Sequence, residues 1–415
     1  MHDQFRIPLL RDRHTHPLLY AALHEGINLN EAVRSDPGLD LKELREDAIR
    51  RIRAHAQGGT PGWALVQGWN SGRYLLAKKD FDDLPPLVIL NLSLHGLIVN
   101  DAGRQLLNRS DPEVAANLDD QDWIERNLRR LLNIFAKEGA SPERLRRFFR
   151  WLLEEHGVFY AEEMLLVDEA EISLFEQAGL SERTRFWAAP EQFDRLSRPL
   201  QERVHGIKLF ADGALGTRTA AIHECYRDAR GSGMLIYQRN ELENLIERYV
   251  SFGKPIAVHA IGDRAVDQII AVWETVRPTG GSKLRIEHAQ LITQPAARRA
   301  NELGIQLCMQ PNFSDDSIHY ADRLPAHYAE RNNPLRMLID EAGYVPGEDL
   351  FFGSDGMPHG FREALRQSLF PRYPGQRLTP EEFVAGYCEA DRAAGYIDVA
   401  IDADNASVQG RVVFL

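Results

Sequence analysis

The stretch Ile7-Pro8-Leu9-Leu10-Arg11-Asp12-Arg13-His14-Thr15-His16 is a short apolar run that ends in a His-x-His pair. Residues i and i+2 of an extended strand face the same side, so the two imidazoles can point toward one metal ion. Alone, such a pair is more often two unrelated surface or core histidines. It gains weight here because later strand-like segments carry residues that could complete a metal site.

The composition excludes several classes of protein. The chain has 415 residues, of which 44% are hydrophobic and 27% charged, as is typical of soluble globular proteins. Its net charge of −12 would repel a phosphate backbone, so we expect no nucleic-acid partner. There is no apolar run of membrane-spanning length and no signal-like segment before the first strand, and the 3 dispersed cysteines indicate reduced thiols. We therefore expect a cytoplasmic protein that is not inserted in a membrane.

Strand-like and helix-like segments alternate regularly from Gly157 onward, which indicates a parallel sheet covered by helices. The strand candidates exceed the eight of a closed barrel, so at least one pair before residue 100 belongs to an insertion. We predict an α/β fold, a distorted (β/α)8 TIM barrel with a long, mainly helical insertion after its first strand. The barrel is assigned residues 1–396, with the insertion within 17–156, and residues 397–415 form a C-terminal tail.

Candidate metal ligands recur at the strand ends of this predicted barrel, where catalytic groups of such folds lie. They are His14, His16, Lys208, His259, His288 and Asp355. Imidazoles and a carboxylate suit zinc or a similar divalent ion. A buried, neutral Lys208 could react with carbon dioxide to form a carbamate that bridges two ions. The expected cofactor is therefore one divalent ion, or two if Lys208 is carboxylated.

Each of these residues also has a purely structural explanation. His259 and His288 could be core histidines, Lys208 could extend its amine toward solvent, and Asp355 could cap a helix. The recurrence of one chemical type at one structural position favours the metal site over these separate explanations.

The motifs around these residues resemble a known family. The order His-x-His, Lys, His, His, Asp is similar to that of the amidohydrolase superfamily. The segments Ile-Lys-Leu-Phe-Ala-Asp-Gly-Ala-Leu-Gly-Thr-Arg-Thr (207–219), Val-His-Ala-Ile-Gly-Asp-Arg-Ala (258–265), Arg-Ile-Glu-His-Ala-Gln (285–290) and Gly-Ser-Asp (353–355) are similar to its amidohydrolase family 3 branch. That branch includes N-substituted formamide deformylases. Two shorter segments, 68–70 and 95–100, also resemble segments of this branch.

This resemblance implies a metal-dependent hydrolase that uses a metal-bound hydroxide to cleave a C–N bond, of amide or N-formyl/N-acyl type, in a small molecule. It implies that Asp355 acts as general base and then general acid. His95 and Arg218 are candidates to stabilise the developing oxyanion. Glu287 and Asp263, which lie close to ligand positions, are expected to orient ligands or to pack.

The sequence departs from the family in two places. Relatives usually carry a segment before the His-x-His strand and a C-terminal segment that together form a small β-sandwich, so we expect little or no sandwich here, in a barrel-only variant or a shortened gene product. An uncovered barrel edge would favour self-association, such as a homodimer. Relatives also often have a histidine shortly after Gln310-Pro311, where this chain has Asn312-Phe313.

Two alternative functions stay open. One is a mononuclear deaminase or a lactone or ester hydrolase, in which Lys208 is unmodified. The other is a catalytically silent barrel that keeps its metal ligands for binding or assembly. The glycine-bearing turn Gly213–Gly216 is weak support for a phosphate site, and Cys308 on an apolar strand is expected to be a core residue.

Overall fold

The computed structural model describes residues 2–24, 26–30, 40–59, 62–166, 168–276, 281–388 and 394–415. Its strands are β1 (His2–Pro8), β2 (Leu10–Thr15), β3 (Ile27–Asn28), β4 (Ala64–Trp69), β5 (Leu87–Asn91), β6 (Leu97–Val99), β7 (Val158–Leu166), β8 (Thr184–Ala188), β9 (Gly206–Phe210), β10 (Ile256–Ala260), β11 (Leu284–His288), β12 (Gln306–Met309), β13 (Leu350–Phe352), β14 (Gly395–Asp402) and β15 (Ser407–Phe414).

Helices alternate with the later strands. Their bounds are Pro17–Leu23, Leu41–Gln57, Asp101–Ser110, Pro112–Ala116, Gln121–Gly139, Pro142–His156, Glu169–Gln177, Pro190–Phe193, Arg198–Arg203, Arg239–Val250, Asp263–Val276, Gln294–Glu302, Asp316–His319, Ala326–Arg331, Leu335–Asp340, Phe361–Leu369 and Pro380–Tyr387. Within the ranges given above, no helix combines the length and the apolar composition that a membrane span requires.

An 8-stranded parallel sheet forms the centre of the fold, in the order β13-β12-β11-β10-β9-β8-β7-β2. Strands β10 and β11 are buried at every position, as expected for parallel strands that helices cover on one side. The sheet curls so that its two edge strands meet. There the Asp12 carboxylate accepts hydrogen bonds from the Ser354 amide at 2.8 Å and from the Ser354 hydroxyl, and the Asp355 amide donates to the His14 carbonyl at 2.7 Å. The predicted distorted TIM barrel is confirmed.

The opening stretch of sequence is divided between two sheets. We predicted one strand, but β1 pairs antiparallel with β14 in a 3-stranded sheet, β1-β14-β15, and the barrel strand β2 begins only at Leu10. Pro8 ends the first ladder, since it has no N–H to donate to a further partner. Most of the predicted tail, residues 397–415, forms the β14–β15 hairpin, whose first strand begins at Gly395. This small sheet joins the two ends of the described chain beside the barrel.

The insertion after β2 contains a sheet as well as helices. Strands β3 to β6 form a separate 4-stranded sheet, so strands before residue 100 lie outside the barrel, as predicted for at least one pair. The helix Leu41–Gln57 follows its N-cap Asp40, and the helix Pro142–His156 follows its N-cap Ser141, whose hydroxyl accepts from the Arg144 amide. The connection between β5 and β6 carries His95.

Candidate metal centre

Five of the six predicted ligands lie at the carboxyl ends of barrel strands. These are His14 and His16 at the end of β2, His259 and His288 at the ends of β10 and β11, and Asp355 shortly after β13. Lys208 differs from the prediction, because β9 extends to Phe210 and Lys208 is its central residue. Its side chain is nevertheless 1% exposed.

The histidines of the site form a continuous row. The ring centroids of His16 and His14 lie 5.6 Å apart, those of His14 and His288 4.7 Å, and those of His288 and His259 4.5 Å. His95 extends the row, with its centroid 5.5 Å from that of His259. The fold therefore gathers into one cluster residues that are separated by more than 250 positions in the sequence.

His14, His16 and Asp355 form a group whose ligand atoms all lie within 4.8 Å of one another. The Asp355 Oδ1 atom lies 3.1 Å from His16 Nε2 and 3.8 Å from His14 Nε2. Both Asp355 Oδ1 and His16 Nδ1 are buried and make no hydrogen bond to any described residue. Buried polar atoms without partners are costly, and a cation between these three side chains would satisfy the carboxylate.

Other side chains hold two of the imidazoles in place. His14 Nδ1 donates to Glu287 Oε2 at 2.6 Å, and His288 Nδ1 donates to Gln310 Oε1 at 2.6 Å. Each contact leaves Nε2 of the ring for a metal, and such supporting carboxylates and amides are usual around metal-binding histidines. His259 Nε2, by contrast, lies 3.0 Å from the Gly213 carbonyl oxygen.

The two carboxylates predicted to orient ligands are placed differently. Glu287 contacts His14 directly. Asp263 accepts hydrogen bonds from the Tyr328 hydroxyl at 2.8 Å and from Arg331 at 2.9 Å, neither of which is a candidate ligand. Asp263 therefore serves local packing.

Burial shifts the pKa values of several candidate ligands toward the neutral forms that bind metals. It lowers the pKa of His14, His259 and His288 well below the usual range, so their rings are neutral at pH 7. Burial also lowers the pKa of Lys208 to about 8, and its Nζ makes no hydrogen bond within the described part of the chain. A neutral amine is the form that can react with carbon dioxide. The donor types and the unpartnered atoms thus fit a divalent cation.

A second group, His14, Glu287 and Cys308, also has the spacing of a metal site. His14 and Glu287 already bond each other, and burial raises the pKa of the Cys308 thiol well above its usual value. A protonated thiol is a poor ligand, so Cys308 remains a core residue, as predicted.

The backbone is strained at two predicted ligands. His288 has φ 72° and Asp355 has φ 53°, in the left-handed region that residues other than glycine rarely adopt. Such strain collects at functional sites, where the surrounding structure holds it.

A cavity of about 460 Å³ opens beside the row of histidines. His259, His288 and Asp355 line its floor, and aromatic and polar residues of the surrounding loops line its walls, among them His95, Asn312, Phe313, Asp316 and Tyr320. A cavity of this size and mixed polarity suits a small organic molecule.

His95, predicted as an oxyanion-stabilising residue, lines this cavity. Its Nδ1 lies 2.6 Å from Glu125 Oε2, a carboxylate of the insertion helix Gln121–Gly139. Burial alone would lower the pKa of His95, but the charge of Glu125 raises it above the usual value. The sequence did not identify Glu125, because the contact depends on how the insertion folds back onto the barrel.

Arg218, the other predicted oxyanion residue, is placed elsewhere. It is not among the described residues that line the cavity. Its Nε donates to both carboxylate oxygens of Asp228 at 2.9 Å, and its side chain is 36% exposed. The structure therefore does not bring Arg218 to the candidate metal ligands.

Asn312, which follows Gln310-Pro311, has a fixed amide orientation. Its Nδ2 donates to the carbonyl oxygens of Ser354 and Met357, both at 2.9 Å, on either side of Asp355. Because these partners are both acceptors, the amide cannot be flipped, and Oδ1 is left as a buried acceptor with no partner among the residues described.

Comparisons with known proteins identify the family of this chain. The amidohydrolase family model matches residues 5–364. The chain is 27% identical to the YtcJ protein of Bacillus subtilis over 330 residues, which are 69% of this chain and 61% of that protein. It is 28% identical to the N-substituted formamide deformylase of Arthrobacter pascens over 126 residues, 29% of this chain and 23% of that protein.

The fold also resembles that of a solved structure. A metal-dependent hydrolase from Pyrococcus furiosus superposes with a TM-score of 0.64 at 22% identity, over 92% of this chain and 80% of that one. The chain spans about 61% of the length of YtcJ, the first curated relative that it matches. Because the family model matches most of the chain, the predicted resemblance is confirmed and the chain belongs to the amidohydrolase family.

Proposed function

We propose that this protein is a metal-dependent hydrolase that cleaves a C–N bond, of amide or N-formyl/N-acyl type, in a small molecule. The observation that carries the proposal is the group His14, His16 and Asp355, whose ligand atoms lie within 4.8 Å of one another and of which Asp355 lines the cavity. Membership of the amidohydrolase family supports the same reaction class.

The expected ion is zinc, held by His14, His16 and Asp355. His259, His288 and a carboxylated Lys208 would hold a second ion. When bound, the metal polarises the substrate carbonyl and lowers the pKa of water toward 7.

Asp355 is the proposed proton carrier. Its backbone is fixed on both sides, since its amide donates to the His14 carbonyl and its own carbonyl accepts from the Tyr20 hydroxyl at 2.7 Å. Its side chain lines the cavity, and its buried Oδ1 makes no hydrogen bond to a described residue. The carboxylate can take a proton from the attacking water and pass it to the leaving nitrogen.

His95 is the proposed oxyanion-stabilising residue. Because Nδ1 bonds to Glu125, Nε2 is the ring nitrogen that can donate to a substrate. The raised pKa of His95 favours the protonated ring. An imidazolium N–H donor can stabilise the negative charge that develops on the substrate carbonyl oxygen.

Asn312 supports an amide substrate over an ester or lactone. Its unpartnered Oδ1 is an acceptor, which the N–H of a secondary amide can satisfy and an ester oxygen cannot. A site built to receive a donor discriminates against analogues that lack one.

The test is hydrolysis of matched N-formyl amines, N-acyl amines, esters and lactones by the metal-loaded protein. We expect turnover of an N-formyl or N-acyl amine, and a loss of about 10²–10⁴-fold in kcat for Asp355→Asn. Turnover confined to esters or lactones would contradict the C–N assignment. Equal background rates in both proteins would contradict enzymatic activity and favour a silent metal-binding barrel.

A further inference from the structure

The cavity beside the row of histidines has a carboxylate in its wall that the proposed chemistry does not use. Asp316, in the helix Asp316–His319, lines this cavity, and its side chain is 18% exposed. Gln290 connects it to the metal centre, since Gln290 contacts Asp316, lies two residues after His288 and lines the same cavity. Asp316 thus belongs to the space in which a substrate would be bound.

The Asp316 carboxylate is held at one oxygen and open at the other. Gln290 Nε2 donates to Asp316 Oδ2 and to Asn332 Oδ1, both at 2.9 Å, which fixes the Gln290 amide. Asp316 Oδ1 accepts no hydrogen bond from any residue that the structure describes. A donor on a molecule bound in the cavity can therefore complete the partners of this carboxylate.

The charge of Asp316 has no guanidinium or ammonium partner within the described ranges. The closest side chain that can carry positive charge is His319, whose Nδ1 lies 4.0 Å from Asp316 Oδ1, at the limit of an ion pair. Burial raises the pKa of Asp316 to about 7, against the hydrogen bond from Gln290, and the nearby Asp315 adds to the increase. A bound cation would offset the cost of keeping this carboxylate ionised.

The arginine residues of the same cavity do not compensate Asp316. Arg366 Nη2 donates to Asp315 at 2.8 Å and to Glu363 at 2.6 Å, and Arg366 Nε donates to Glu363 at 3.0 Å. One guanidinium thus lies between two carboxylates, and the three groups together add negative charge to the lining. Arg73 of the insertion also lines the cavity, so anionic substrates are needed as a comparison.

Apolar side chains provide much of the remaining wall of the cavity. They are Leu92, Leu215, Ile261, Phe313 and Met357. The ring of Phe313 is parallel to that of His288, with their centroids 5.9 Å apart, so apolar surface begins directly beside a candidate metal ligand. Such a wall suits an aliphatic chain.

We propose that the substrate carries an ammonium group, which Asp316 binds, joined by a short aliphatic spacer to the amide that is cleaved at the metal centre. A mono-N-formyl or mono-N-acyl diamine has this chemistry. Its hydrolysis adds one water, breaks the C–N bond and releases the carboxylic acid and the free diamine. This inference rests on the proposed function and names the class of substrate within it.

The test compares three series of N-formyl and N-acetyl amines with spacers of two to five methylene groups. The far end of the spacer carries an ammonium group, a methyl group or a carboxylate. We expect kcat/KM for the ammonium series to exceed that for the methyl series by about tenfold or more at the best spacer length. The ratio should fall toward one in Asp316→Asn, which keeps the side-chain size and can still accept from Gln290.

The matched control is Asp119→Asn, which removes an exposed carboxylate that is not among the described residues of the cavity lining. It should keep the wild-type ratio. Equal kcat/KM for the ammonium and methyl series of the wild type, or a preference for the carboxylate series, would overturn the inference without any variant. A ratio that is unchanged in Asp316→Asn would also overturn it.

Calorimetric titration with butylammonium and with butanol measures the ammonium site without hydrolysis. We expect saturable binding of butylammonium alone, and its loss in Asp316→Asn. If no amide is hydrolysed but this binding pattern is found, the C–N assignment fails and the ammonium site stands. If amides are hydrolysed but butylammonium binds no better than butanol, the proposed function stands and the ammonium site is wrong.

Discussion

His14 Nδ1 lies 2.6 Å from Glu287 Oε2, and the two side chains are at most 2% exposed. Glu287 Oε1 in turn accepts from Arg285 Nε at 2.5 Å, so the carboxylate is held from the other side. The pair fixes the ring of His14 with Nε2 toward Asp355. A barrel interior is usually filled by branched apolar side chains, and a buried ionic chain in their place indicates a role in the site.

Replacement of Glu287 should weaken metal binding. In Glu287→Gln only the amide oxygen can accept, so the side chain no longer accepts from both His14 and Arg285, and the imidazole loses its orientation and part of its basicity. We expect about 10- to 100-fold lower metal affinity, measured by competition with a chelator. Glu302→Gln, on an exposed helix face, is the matched control and should bind metal normally. Unchanged affinity in Glu287→Gln would show that His14 is positioned without it.

Lys208 should determine the number of ions. If its carbamate bridges two ions, the wild-type protein grown with zinc and carbon dioxide should contain about two per chain. Lys208→Arg cannot form the carbamate and should contain at most about one, because His14, His16 and Asp355 remain. Elemental analysis measures both values. Equal stoichiometry in the two proteins would contradict a carboxylated lysine.

Asn312 should set a preference for substrates that carry an N–H. We expect the wild type to hydrolyse a secondary amide faster than its N-methyl analogue, and the ratio of their kcat/KM values to fall toward one in Asn312→Ser. Asn312 also holds the backbone around Asp355, but that loss affects both substrates and cancels in the ratio. A ratio that is unchanged by the substitution would separate Asn312 from substrate recognition.

Glu163 should make stability fall as pH rises. Burial raises its pKa from 4.5 to about 8, so the folded state holds a proton that the unfolded state has lost between these values. The free energy of unfolding should therefore decrease by about 1.4 kcal/mol per pH unit in this window through this group. In Glu163→Gln this contribution is absent, so the difference between variant and wild type should grow from pH 5 to 7.5 in urea unfolding. Parallel pH profiles would contradict the raised pKa.

The sequence predicted those features that follow from local pattern. The strand–helix alternation after Gly157 and the position of His14, His259 and Asp355 at one end of the sheet both depend on periodicity and on the common direction of parallel strands. Such signals lie in neighbouring residues, and the structure confirms the fold that they predict.

The features that the sequence did not predict arise from long-range contacts. The division of the opening stretch at Pro8 depends on pairing with β14, almost 400 residues away. The contact of Glu125 with His95 requires the insertion to fold back, and the orientation of Asn312 depends on two carbonyls of another loop. Arg218 lies within the family-like segment 207–219, yet its guanidinium bonds to the nearby Asp228 and is not among the described groups that line the cavity.

Anomalous diffraction from zinc-loaded crystals is the most direct test of the metal centre. We predict a peak bonded to His14, His16 and Asp355, and a second peak bonded to His259 and His288 if additional density extends from Lys208 Nζ. Zinc bound only at other residues, or no peak beside His14 and His16 in a correctly folded protein, would contradict the proposed metal centre.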